Sequence, residues 1–557
     1  MTHAWYSSYP EGVPHEADLT AYDSLVDVFE QACTEYSNNP CFCNYGKTIT
    51  YQELENDTRK LASFLQNQLA MNKGDKIAIM MPNLLQNPIS IFASLRAGLT
   101  VVNTNPLYTG KELQHQLCDS GATTIIVLEN FASTLQQVIK DTPIKNVIVT
   151  RMGDKLDFPK SAIINLVVKH VKKMVPSFNL PGSYDFKQCL SQGDASKYTR
   201  PTLNQQDFAF LQYTGGTTGV AKGAILTHGN MVGNLQQVSA WIEPYIIKGK
   251  EHIITALPLY HIFSLLANCM FFMKMGGLNH LITNPRDMKN FVKELKGVKF
   301  TALTGVNTLF NGLLNTPGFS DIDFSSFKMA LGGGMAVQKS VAEEWQKVTG
   351  QTLLEAYGLT ETSPAVCINP MTLKSYNGKI GLPMPSTDVS IQDDDNNILP
   401  TGEHGEICIK GPQVTQGYYK RPEETALVFD DDGWFHSGDI GFMDEQGFFQ
   451  IVDRKKDMII VSGFNVYPNE IEDVIASHHD IIEVGVIGMP DEKCGESVMA
   501  IVVCKNTQIT EHDIRTHCEL SLTRYKIPKR IEFVDEVPKT NVGKILRREL
   551  RDMYLSS

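Results

Sequence analysis

A chain of 557 residues is longer than one ordinary hydrophobic core serves, so two or more domains are expected, the largest itself subdivided. A formal charge of -12 and a pI near 5.7 argue against general nucleic-acid binding by bulk electrostatics, so any polyanionic ligand must find a local basic site. Eleven scattered cysteines with no CxxC pair suit reduced thiols in a cytoplasmic protein better than a disulfide or zinc framework.

In chain order, the first residues have neither a basic start nor an apolar stretch, so no secretory signal is expected. A helical pattern over 51–70 precedes short β-branched runs at 75–83, 122–130 and 145–151. This alternation predicts α/β layers with largely buried sheets. The stretch "PKSAIINLVVKHVKKMVPSF" (159–178) sets Ile163, Ile164, Leu166, Val167 and Val171 against Lys160, Lys169, Lys172 and Lys173. Such a basic amphipathic segment either lies on an anionic bilayer or forms an ordinary surface helix.

The strand-like "FAFLQYT" (208–214) runs into "YTGGTTGVAKG" (213–223), which lacks Walker spacing yet gathers backbone N–H groups, hydroxyls and a lysine as a phosphate loop would. His261 follows within "LPLYHIFS" (257–264), where a core histidine and a catalytic one are both open readings. The apolar run 264–282 is broken by Lys274 and the Gly276-Gly277 pair, so no membrane span is predicted. "ALGGGM" (330–335) places three glycines after a short strand, where a flat ligand can approach the backbone. In "YGLTETSP" (357–364) an aromatic ring and a carboxylate suit a purine beside a hard cation.

Beyond about residue 400 the texture becomes hairpin-like, and "WFHSGDIG" (434–441) and "DRKKD" (453–457) supply Asp439 and Arg454 as candidate ribose contacts. Strands at 458–463, 483–489 and 498–504, with helices opening at Pro468 and Glu511, predict a small α+β domain. "PKTNVGKILRREL" (538–550) ends the series with Lys544 after a glycine.

In this order the motifs resemble the adenylate-forming superfamily of acyl-CoA synthetases, adenylation domains and luciferases, and within it the bacterial long-chain fatty acyl-CoA ligases. The resemblance implies a large N-terminal domain (1–452) of layered α/β sheets with a β-rich portion, a hinge (453–457) about Lys456, and a small mobile α+β domain (458–557). It implies acyl-AMP formation from ATP and a fatty acid with Mg²⁺, followed by transfer to CoA. Lys544, Lys222 and His261 would be catalytic, and Glu361 would stand near the metal. Nucleotide contacts would come from Thr214, Gly215, Gly216, Thr217, Thr218, Gly219, Lys222, Gly333, Gly334, Tyr357, Gly358, Thr360, Asp439 and Arg454. Ser462 and Gly463 would meet CoA, and His261, Val306 and Gly332 the acyl group. Small or apolar residues at 259–272 and 301–314 suit either an alkyl tunnel or plain core, and "YHIFS" lacks the aspartate that holds an amino-acid substrate. A carrier-loading acyl-AMP ligase and a medium-chain or aryl acid ligase are the alternatives. Peripheral contact with an anionic membrane, no nucleic acid, and an oligomeric state open to a homodimer complete the expectation.

Overall fold

The computed structural model describes residues 3–214, 220–491, 493–506, 508–540 and 543–555. Among these residues four sheets form. The predicted helix at 51–70 spans Tyr51–Asn67, opened by a reciprocal capping box in which Thr50 accepts from Glu53 N–H and the Glu53 carboxylate accepts in return. Its apolar face buries Leu54, Leu61, Phe64 and Leu65, the i, i+3, i+4 spacing of a core-facing stripe.

The predicted β-branched runs become Lys76–Met80, Thr124–Leu128 and Asn146–Thr150, parallel neighbours in a seven-stranded sheet. That sheet ends in the antiparallel pair Phe208–Thr214 and Lys222–Thr227. A nine-stranded sheet has a parallel centre that includes Ala302–Gly305, Met329–Gly333 and Leu353–Gly358. Nearly every residue of these central strands is buried, as helices covering both faces require. The glycine run is placed differently from its sequence reading: Gly332 and Gly333 lie inside their strand, and only Gly334 follows it.

The apolar run at 264–282 folds as short consecutive helical pieces from Ile262 to Lys274 and then the strand Leu278–Leu281. Among the described residues no helix is long and apolar enough to cross a membrane. Asp388–Gln392, Gly405–Lys410, Phe435–Met443 and Phe449–Arg454 form an antiparallel four-stranded meander, the β-rich portion.

The N-terminal segment straps these parts together. Trp5 is buried with its ring 5.9 Å from that of Phe449. Ser8 Oγ donates to the Gln446 carbonyl (2.7 Å), and Tyr9 Oη donates to the Pro383 carbonyl (2.6 Å) at the edge of the nine-stranded sheet. After 458 a separate sheet is built from Ile459–Val461, Phe464–Val466, Ile481–Asp491, Gly495–Cys504 and Arg530–Phe533, with its own apolar cluster around Ile471, Val486 and Val502. The predicted small-domain helices are Pro468–Ala476 and Glu511–Glu519.

Candidate active site

Parallel register between Met329–Gly333 and Leu353–Gly358 pairs Gly333 with Ala356, so the glycine run and Tyr357 emerge at the same carboxyl edge. Open α/β sheets place ligands at that edge. Tyr357 is buried, and its Oη donates to Asp439 Oδ2 at 2.7 Å. Asp439 comes from the four-stranded meander, where it pairs across strands with Arg454, whose Nε lies 3.4 Å from Asp439 Oδ1. Burial raises the Asp439 pKa, and Arg454, Tyr357 and Lys544 oppose that shift. Gly438, at φ +74°, donates its N–H to Glu406 Oε1 (2.8 Å) and so fixes the chain entering Asp439.

At the expected phosphate loop, Thr214 pairs with Lys222 across the hairpin. Gly215, Gly216, Thr217, Thr218 and Gly219 lie outside the described residues. The Lys222 ammonium sits 5.2 Å from the centroid of the Tyr418 ring, and Tyr418 Oη donates to Glu361 Oε1 at 2.8 Å. Glu361 lies in the short helical turn Thr360–Thr362; burial raises its pKa, with the Tyr418 hydrogen bond acting against it.

His261 caps the helical turn that follows it, its Nδ1 accepting from the Phe263 N–H at 3.4 Å. Desolvation first, then the nearby Lys544 charge, push its pKa down to about 3, so the ring is neutral at physiological pH. Lys544 reaches in from the small domain. A Cβ on Gly334 would stand 3.3 Å from Lys544 Cε, so the missing side chain makes room for the lysine stem. Burial, then Arg454, lower the Lys544 pKa to about 8, while Asp439 and Glu361 act in the opposite direction.

These groups share one cavity of about 2730 Å³. Thr214, Lys222, His261, Gly333, Gly334, Tyr357, Gly358, Thr360, Glu361, Asp439, Arg454, Lys456 and Lys544 all line it. So do Val238, Ile242, Leu266, Phe271, Phe272, Met329 and Leu331, an apolar wall continuous with the charged one. Val306 and Gly332 do not line it: Val306 is buried, and the Cβ direction of Gly332 points at Val337, with 2.7 Å to its Cγ2. Ser462 and Gly463 form the exposed turn between Ile459–Val461 and Phe464–Val466, with open space around Gly463, and do not line the cavity.

A model of AMP-binding enzymes matches residues 29–419, and one of the AMP-binding enzyme C-terminal domain matches 470–544. The chain belongs to the AMP-binding enzyme family. It is 54% identical over 552 residues, 99% of this chain and 98% of the relative, to a long-chain-fatty-acid–CoA ligase of Escherichia coli O6:H1. It is 39% identical over 551 residues, 98% and 97% of the two chains, to a ligase of the same name from Bacillus subtilis. Among solved structures, ATP-bound MatB from Rhodopseudomonas palustris superposes with a TM-score of 0.81 at 26% identity, covering 95% of this chain and 99% of that one.

Two residues of this AMP-binding enzyme's site escaped the sequence reading. Tyr418 bridges Lys222 and Glu361, and Glu406 anchors the turn before Asp439. The only local signal for Tyr418 is the aromatic pair of "QGYYKR", which an ordinary turn would also carry.

Proposed function

We propose that this enzyme joins a long-chain fatty acid to CoA in two steps at the one cavity. In the first, a carboxylate oxygen attacks the α-phosphorus of ATP and the bond to pyrophosphate breaks, leaving acyl-AMP. In the second, the CoA thiol sulfur attacks the acyl carbonyl, its proton is lost, and AMP departs. Two anions must meet in the first step, so positioned charge is the main catalytic need. Lys544 supplies it at the α-phosphate, Lys222 and the Gly/Thr loop hold the outgoing phosphates, and Tyr357, Asp439 and Arg454 hold the nucleoside.

The observation that supports this reading is that Lys222, Arg454 and Lys544 line a single cavity together with an apolar wall. Each methylene seated on that apolar wall adds about 0.8 kcal/mol, which favours palmitate over acetate. Glu361 fits a magnesium site: it is a buried hard-oxygen donor with one carboxylate oxygen already held by Tyr418. Magnesium bound there neutralises phosphate charge.

The small domain begins at 458 and turns about Lys456 within 453–457, exchanging Lys544 for the Ser462–Gly463 turn between steps. The protein works in the cytoplasm and touches the inner membrane peripherally through the segment after Phe158. That residue is 87% exposed, with Ile163, Leu166, Val171 and Met174 exposed beside it and Lys169, Lys172 and Lys173 among them.

The deciding assay follows ATP, palmitate and CoA with magnesium. AMP and pyrophosphate must appear in equal amounts with palmitoyl-CoA. ADP as product, or acetate preferred over palmitate, overturns the reading; product formation only on a carrier protein, with free CoA inert, reassigns the acceptor.

A further inference from the structure

The helix Asn307–Leu314, read from sequence as a stretch of acyl wall, turns a polar face to the small domain. Thr308 Oγ1 donates to the Gly543 carbonyl at 3.0 Å, one residue before Lys544. Gly543 sits at φ +90°, and a Cβ there would come within 2.5 Å of that same hydroxyl, so the approach needs glycine twice over. The turn it belongs to is already closed. Gly543 N–H donates to the Thr540 carbonyl (2.9 Å), Lys544 N–H to Thr540 Oγ1 (3.0 Å), and Thr540 N–H to the Lys544 carbonyl (2.7 Å). Holding the Gly543 carbonyl therefore holds the backbone from which the lysine projects.

One helical step along the same face, Asn311 Nδ2 donates to the Ile482 carbonyl at 3.0 Å.

We infer that Thr308, seconded by Asn311, is a positioning residue for acyl-AMP formation: it docks the turn that aims Lys544 at the reacting phosphate. Its hydroxyl acts through Lys544, by way of the Gly543 carbonyl. The inference rests on the role proposed for Lys544 and adds the seat on which that role depends. In the orientation that presents the Ser462–Gly463 turn, Lys544 is withdrawn and the seat is empty, so acyl transfer has no use for Thr308.

The test uses the full-length enzyme in single turnover, measuring palmitoyl-AMP formation and, separately, transfer from preformed palmitoyl-AMP to CoA. Thr308→Val keeps the side-chain volume and removes the donor. It should slow adenylation by about fivefold, the worth of one hydrogen bond, and leave transfer at the wild-type rate. Asn311→Ala should act in the same direction, and Thr308→Ser should restore adenylation. Adenylation within twofold of wild type in Thr308→Val, equal losses in both half-reactions, or no rescue by serine would each overturn the proposal. Lys544→Ala runs in parallel: if it leaves adenylation intact, the underlying reading falls and this one with it, whereas an impaired Lys544→Ala beside a normal Thr308→Val removes only the docking role.

Discussion

Tyr357 and Asp439 belong to different sheets and meet through a 2.7 Å hydrogen bond in which the phenol donates to a buried carboxylate. The bond locks the wall of the nine-stranded sheet to the wall of the meander at the place where a nucleoside would lie. Tyr357→Phe keeps the ring and removes the donor, leaving Asp439 buried with one partner fewer, a loss of about 1–3 kcal/mol. The Michaelis constant for ATP should rise several-fold while that for palmitate holds. An unchanged ATP constant would show that this bond does not orient the nucleotide contact.

The role proposed for Lys544 requires its charge. With its pKa lowered to about 8, the free enzyme carries that charge below pH 8 and loses it as pH rises through that value. The kcat/KM for ATP in the adenylation half-reaction should therefore be level in mildly acid and neutral buffer and fall on the alkaline side. Lys544→Arg should abolish the alkaline fall, since a guanidinium stays protonated there. Lys544→Ala should cost about 10²-fold or more in adenylation and spare much of the transfer step. A profile with the same alkaline limb in Lys544→Arg would assign the titration to another group.

The hinge assignment is open to a backbone substitution. The turn at Lys456 is closed by the Asp457 and Met458 N–H groups on the Arg454 carbonyl, and the Lys456 N–H has no acceptor among the described residues. Lys456→Pro therefore sacrifices no hydrogen bond here, while fixing φ near about -65° and narrowing the choices at Lys455. Acyl-AMP formation should persist and thioester formation should fail. Wild-type rates for both in single turnover would remove Lys456 as the pivot, and with it the boundary at 453–457.

Membrane contact is tested with Lys169, Lys172 and Lys173 all changed to glutamine. Each basic residue near an anionic surface contributes about 1 kcal/mol, so co-sedimentation with phosphatidylglycerol vesicles should fall by two to three orders of magnitude at most and be salt-sensitive in the parent. Replacing Phe158 with serine should weaken binding further without restoring salt dependence. Equal recovery of parent and triple variant in the pellet contradicts the assignment.

Much of the fold follows from local chemistry. The runs around Ile77, Ile126 and Val147 are β-branched and short, and Thr50 with Glu53 announces a helix before any packing is considered. The site was legible where residue types are themselves chemical, as at Tyr357, Glu361, Asp439 and Lys544. It was illegible where only the direction of a side chain decides. Along the strand Met329–Gly333 successive residues face opposite ways, so Gly333 lines the cavity and Gly332 turns toward Val337, which three identical letters cannot reveal. Thr308 and Asn311 were absorbed into an apolar reading because their partners, Gly543 and Ile482, lie far along the chain. Tyr418 was invisible for the same reason, its partner Glu361 being 57 positions earlier.

The strap formed by Trp5, Ser8 and Tyr9 bears on how such a molecule can move. By fastening the meander to the edge of the nine-stranded sheet, it makes the walls that carry Tyr357 and Asp439 a single stator. On the proposed hinge, the residues after 457 would be the rotor, tied to it by a short turn and by hydrogen bonds that include those of Thr308 and Asn311. On that proposal, a swing of the rotor would change which chemical group faces the cavity and leave the stator undeformed, so an acyl-adenylate made in one position would still be held in register when the next reagent arrives.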